Sequence, residues 1–109
     1  MSKPLITESK RIGNLVITSG ITAPPGDVAT QARSIFEKIK KILEKQGTSM
    51  KHVLKANVYL ADIGDREPKF NGIWREYFPD NPPARTTVQV GLGPGTLVEV
   101  EVVAEIPEK

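Results

Sequence analysis

The chain has no cysteine and only one histidine, His52, among its 109 residues. The first absence removes a disulfide framework, a thiolate nucleophile and any Cys-based zinc site. The second means that a Ser/His/Asp triad or a multi-histidine metal centre would depend wholly on His52, which has Lys51 beside it and no second ligand nearby, so no metal site is expected. No apolar run approaches the roughly 18 residues that would span a bilayer. The segment Met1–Leu5 lacks an apolar stretch of signal-peptide length, so a cytoplasmic protein with no membrane partner is expected. Charge of one sign is scarce too: 15 Lys and Arg against 13 Asp and Glu leave +2. The basic cluster Lys38, Lys40, Lys41, Lys45, Lys51, His52 and Lys55 has no aromatic residues interleaved. It reads as the solvated face of an amphipathic helix, not as a nucleic-acid surface.

What is present fits one domain over residues 1–109 with a single modest core. Residues 14–20 read as a strand between Gly13 and Gly20, paired with a shorter strand near Leu5–Glu8 through a turn at Ser9–Gly13. Asp27 is placed to cap a helix whose stripe Val28, Ala32, Ile35, Phe36, Ile39, Ile42 and Leu43 repeats at helical period and stops at Gly47. Residues 52–61 alternate as a strand. A second helix is predicted over 66–78, with Asp65 as its cap and Phe70, Ile73, Trp74, Tyr77 and Phe78 as its buried stripe. Strands over 84–92 and 97–106 would form a hairpin about Gly93-Pro94-Gly95-Thr96. The order β-β-α-β-α-β-β makes an α+β fold with two helices on one face of a mixed sheet.

Alternation assigns Leu15, Ile17, Leu54, Val58, Val88, Val90, Val98, Val100 and Val102 to the face beneath the helices. Val16, Thr18, Val53, Asn57, Tyr59, Arg85, Thr87, Gln89, Glu99, Glu101 and Val103 then share the other face, which is too apolar for a wet surface and too polar for a sealed core. A homo-oligomer that covers it is expected.

That second face carries the candidate chemistry. Arg85 follows the rigid Pro82-Pro83 pair and offers a planar fork suited to a carboxylate. Glu99 and Glu101, two apart on one strand, would stand about 7 Å from each other as candidates for a general base. Thr87, two residues after Arg85, offers a hydroxyl on the same face. Gly93-Pro94-Gly95 joins two strands and opens no helix, so it is a turn and not a phosphate loop.

In order and spacing, five segments make the chain similar to the RidA (YjgF) family from Gly13 onward. They are Asn14-Leu15-Val16-Ile17-Thr18-Ser19-Gly20, Val58-Tyr59-Leu60-Ala61-Asp62, Phe70-Asn71 with Tyr77-Phe78, Pro83-Ala84-Arg85-Thr86-Thr87-Val88, and Val98-Glu99-Val100-Glu101-Val102. These proteins are reactive-intermediate imine deaminases, also called L-PSP-type endoribonucleases. The resemblance implies a chorismate-mutase-like fold in a homotrimer, with ligand sites in the clefts between subunits. It implies hydrolysis of 2-imino or enamine acids, such as 2-aminoacrylate, to 2-keto acids and ammonia, with no metal or organic cofactor. Arg85 then corresponds to the arginine that binds the substrate carboxylate, and Glu99 to the glutamate that positions or activates the attacking water. Thr87 falls where many members have a cysteine near that water, and Gly20 and Asn71 match residues lining the cleft. One departure stands out: family deaminases carry a tyrosine near the N-terminus, where an ungapped alignment puts Ile6. Two other readings follow, a non-catalytic trimer that binds small carboxylates or keto acids, and an endoribonuclease, for which the chain offers neither a histidine pair nor an aromatic platform.

Overall fold

The computed structural model describes residues 3–108. Two short strands, β1 (Ser9–Ile12) and β2 (Leu15–Thr18), lead into helix α1 (Val28–Lys45). Strand β3 (Val53–Leu60), a tight irregular turn over Arg66–Phe70, helix α2 (Asn71–Tyr77), and strands β4 (Ala84–Gln89) and β5 (Val98–Glu105) complete the chain. Both helices pack on one face of a five-stranded sheet ordered β1-β2-β5-β3-β4. Only β3 and β4 run parallel; the other neighbours are antiparallel.

Helix α1 begins where Asp27 Oδ1 accepts the Thr30 backbone N–H at 2.8 Å, a hydrogen bond that also holds the Asp27 carboxyl below its usual range. Its apolar stripe lies against the sheet, with Ala32, Ile35, Phe36, Ile39 and Leu43 fully buried. The helix ends at Gly47, whose φ of +87° only glycine adopts at little cost, and the Thr48 N–H closes back on the Leu43 carbonyl at 2.9 Å. Phe36 anchors the second helix, with its ring centroid 5.9 Å from Phe70, 6.0 Å from Trp74, 5.1 Å from Tyr77 and 5.8 Å from Phe78.

Several sequence expectations are corrected. The first strand is Ser9–Ile12, not Leu5–Glu8, so the predicted turn region is itself the strand. The second helix is shorter than predicted. Glu67, preceding Pro68, is extended (φ −125°, ψ 127°), as the clash with a following proline ring demands, and Asp65 makes no capping bond. The predicted hairpin does not form. β4 and β5 both flank β3, and residues 90–97 loop over its end, where Val90 N–H donates to the Leu60 carbonyl and Ala61 N–H to the Leu97 carbonyl, each at 3.0 Å. The buried Gln31 amide fixes that loop, donating to the Gly95 and Gly26 carbonyls at 2.8 and 3.2 Å and accepting from Leu97 N–H at 2.9 Å.

The assignment of faces is inverted on two strands. Val16 pairs with Ala104 in the core, while Leu15 and Ile17 lie on the outer face, 37% and 49% exposed. Thr18 turns inward with Val16, its hydroxyl accepting from Val102 N–H. On β4, Arg85, Thr87 and Gln89 stand in register with Ala56, Val58 and Leu60 and so face the helices. Thr86 and Val88 take the outer face beside Asn57 and Tyr59. A bulge between Val53 and Lys55 buries Val53 and turns Leu54 out.

Candidate active site

The inversion of β4 divides the candidate residues into two groups on opposite sides of the sheet. Arg85, Thr87 and Asn71 lie on the helix side, and Glu99 and Gly20 on the outer side. The expectation that Arg85, Thr87 and Glu99 share a face is therefore overturned.

On the helix side, the Arg85 guanidinium carbon sits 4.7 Å from the centroid of the Trp74 ring and 5.5 Å from that of Phe70. Cation–π attraction holds it on these ring faces. The group opens into a cleft of about 410 Å³ lined by Asn71, Trp74, Arg75, Phe78, Pro79, Pro82 and Arg85. Among the described residues Arg85 has no ion-pair partner. Burial first, then the charge of Arg66 and that of Arg75, pull its pKa below the usual arginine value, with Glu67 opposing them. The guanidinium remains charged regardless, so the cleft presents an uncompensated cation ready for an anion.

Glu67 organises the rim of this cleft. It accepts both terminal nitrogens of Arg75, at 3.0 and 2.9 Å, and the Asn71 side-chain N–H at 2.8 Å. Those bonds, chiefly the pair from Arg75, hold its carboxyl down at about 2. The other end of the Asn71 amide, Oδ1, is buried without a partner. Thr87 follows Arg85 on the same side, in register with Val58.

On the outer side, Glu99 lies opposite Tyr59 and Glu101 opposite Asn57. The two glutamates do share a face, as expected. They line a second cleft of about 400 Å³ with Tyr59, Val90, Gly91, Leu92 and Gly93. Glu101 is engaged, accepting from the Tyr59 hydroxyl at 3.0 Å and the Asn57 amide at 3.3 Å; its hydrogen bond with the hydroxyl, then burial and the charges of Glu101 and Glu99, raise the Tyr59 pKa. No hydrogen bond to Glu99 forms among the described residues, so its carboxylate is the free acceptor of the pair. Ile21 bridges Val100 through bonds of 2.8 and 3.1 Å, which brings Gly20 against Glu99.

A Cβ at Gly20 would overlap Glu99 Oε2 and stand 2.8 Å from its Cδ. Gly20→Ala should therefore leave the fold intact, because a carboxylate at the end of a flexible chain can swing aside. Displacing this carboxylate, a candidate general base, should lower kcat/KM on the order of 100-fold, with little change in thermal midpoint. Steady-state kinetics beside a melting curve checks this.

Sequence reasoning missed the platform that Trp74 makes for Arg85, having read it only as core, and it missed the Glu67–Arg75 pair. The i, i+4 spacing of Glu67, Asn71 and Arg75 was the available signal. Among the described residues no three His, Asp or Glu side chains gather as metal ligands do, and no helix is long and apolar enough to cross a membrane.

A family model for endoribonuclease L-PSP matches residues 6–106. The 3-aminoacrylate deaminase RutC of Acinetobacter baylyi is 40% identical over 102 residues, covering 85% of this chain and 80% of its own. A RutC family protein of Pyrococcus abyssi is 36% identical over 107 residues, covering 90% and 84%. A solved structure from the YjgF protein family of Neisseria meningitidis superposes with a TM-score of 0.92 at 29% identity, covering 99% of this chain and 92% of that one. The chain belongs to the endoribonuclease L-PSP family, that of the RidA, YjgF and RutC proteins.

Proposed function

We propose that this protein hydrolyses 2-imino and enamine acids to 2-keto acids and ammonia, in clefts between the subunits of a homotrimer. The observation that carries the reading is the division of the site. One chain presents an unpaired guanidinium on one side of its sheet and a free carboxylate on the other. The two can serve one small substrate only where a neighbouring copy brings its Glu99 to this copy's Arg85. An outer sheet face carrying exposed Ile12, Leu15, Ile17, Val88 and Val90 gives such a neighbour apolar surface to cover. The relative that acts on 3-aminoacrylate, an enamine acid, supplies the substrate class.

In the proposed reaction Arg85 holds the substrate carboxylate through parallel N–H bonds. The imine carbon is thereby fixed before the Glu99 of the adjoining subunit. The substrate reacts as its protonated iminium: Glu99 takes a proton from water as the oxygen attacks that carbon, and the iminium nitrogen becomes a neutral amine on a tetrahedral carbon. The proton on Glu99 passes to this nitrogen, the C–N bond breaks, ammonia leaves, and loss of the hydroxyl proton gives the keto group. An enamine substrate enters after shifting a proton to carbon. Thr87 orients the water, while Asn71 and Gly20 shape the walls. Imines hydrolyse readily, so positioning and general-base assistance worth about 10²–10⁴-fold are sufficient.

RNA cleavage, which the family description names, finds less support. His52 lies in the turn Met50–His52, and the rings of Phe36, Phe70, Trp74 and Phe78 are buried. The reading is tested by generating 2-iminopropionate in situ and following its loss. Wild type should accelerate the loss and Glu99→Gln should abolish the acceleration while 2-oxobutyrate still binds. No acceleration by a wild-type protein that binds 2-oxobutyrate would leave the non-catalytic carboxylate-binding trimer instead.

A further inference from the structure

The helix-side cleft holds more positive charge than one carboxylate requires. Arg85 and Arg75 both line it, and Arg66 is close enough to depress the Arg85 pKa. Two guanidinia line the cleft and the charge of the third reaches it, whereas the acid bonded there, Glu67, is already engaged by the Arg75 fork and the Asn71 amide. Arg66 has no ion-pair partner among the described residues. Glu67 takes one N–H from each terminal nitrogen of Arg75 and leaves the rest of that fork free.

Like charges crowded at a half-buried site oppose one another until anions enter. A monocarboxylate on Arg85 answers only one of the two excess charges. Arg75 also lies one helical turn beyond Asn71 on the same face of α2, so its free N–H groups and the Arg85 guanidinium line the same cleft.

We propose that this cleft selects 2-imino acids bearing a second carboxylate, such as the imines of acidic amino acids, with Arg85 holding the first carboxylate, Arg75 the second, and the charge of Arg66 adding to the attraction. The substrate class rests on the deaminase reading, whereas the selection for a dianion rests on the cleft alone.

The two separate experimentally. Affinities for 2-oxoglutarate and 2-oxobutyrate, the corresponding stable keto acids, are measured by calorimetry on the full chain at low and high salt. Turnover of 2-iminoglutarate and 2-iminobutyrate is measured in parallel. Wild type should bind 2-oxoglutarate about tenfold tighter than 2-oxobutyrate, with the preference shrinking as salt rises. Arg75→Gln should bring the ratio of affinities close to one. Because that change also frees Glu67, Arg66→Gln, which leaves the Glu67–Arg75 pair in place, should lower the ratio in the same direction. Equal or weaker binding of 2-oxoglutarate by wild type, or a preference that survives both substitutions, overturns the proposal. A clear preference without turnover of either imine would uphold the dianion site and defeat only the deaminase reading.

Discussion

Replacing Arg85 with alanine should lower kcat/KM for 2-iminopropionate by roughly 10²–10³-fold while leaving the protein folded. Two losses combine. The charge-assisted fork that binds the carboxylate disappears, and with it the constraint that keeps the imine carbon in line with the water. Stability should change little, because two terms oppose each other. The cation–π contact with Trp74 and Phe70, worth about 1 kcal/mol at a half-exposed position, is lost. The crowding of Arg85 by Arg66 and Arg75 is relieved. Arg85→Lys should recover only part of the activity, since an ammonium offers no planar fork. Turnover that persists in Arg85→Ala with KM unchanged would remove the arginine from the site.

The largest effect on the fold is expected at Phe36. Its ring is fully buried and touches four other aromatic side chains, so Phe36→Ala opens a cavity that rigid neighbours cannot close. A loss of about 3–5 kcal/mol is expected, set against a total of roughly 5–15 kcal/mol for a domain of this kind. Urea unfolding should show a midpoint far below that of wild type with a similar slope. The consequence reaches the site, because Phe36 supports the helix that carries Asn71, Trp74 and Arg75. A destabilisation under about 1 kcal/mol would mean that the aromatic cluster repacks and is not the keystone between the helices.

Where local chemistry is unambiguous, the fold is legible in the amino-acid sequence. Helix α1 announces itself through Asp27, its apolar period and Gly47. Strand β3 does so through its alternation, and α2 through its aromatic stripe. Legibility fails where several apolar residues adjoin. Leu15, Val16 and Ile17 give no alternation, and only pairing with β5 shows that Val16 is the buried one. On β4 the apolar Val88 invited assignment to the core, yet the outer face is itself apolar and Val88 belongs there. Choosing the wrong phase turned Arg85 to the wrong side, because a shift of one residue reverses every side chain on a strand. A Gly-Pro-Gly turn looks the same in sequence whether its strands pair or admit a third between them, so it cannot by itself distinguish a hairpin from the loop over β3 that forms here. The residues resembling family motifs are legible in the sequence; that they fall on opposite sides of the sheet is not, since this depends on the pairing and phase of β4.

The division of the site between subunits is tested most directly by mixing two inactive proteins. Arg85→Ala and Glu99→Gln variants are unfolded together in equal amounts and refolded so that subunits exchange. If each cleft draws Arg85 from one subunit and Glu99 from its neighbour, random assembly leaves about a quarter of the clefts with both residues intact, and about a quarter of wild-type imine hydrolysis should return. If both residues of a cleft come from the same chain, every cleft carries one defect or the other, and the mixture should stay as inactive as its parents.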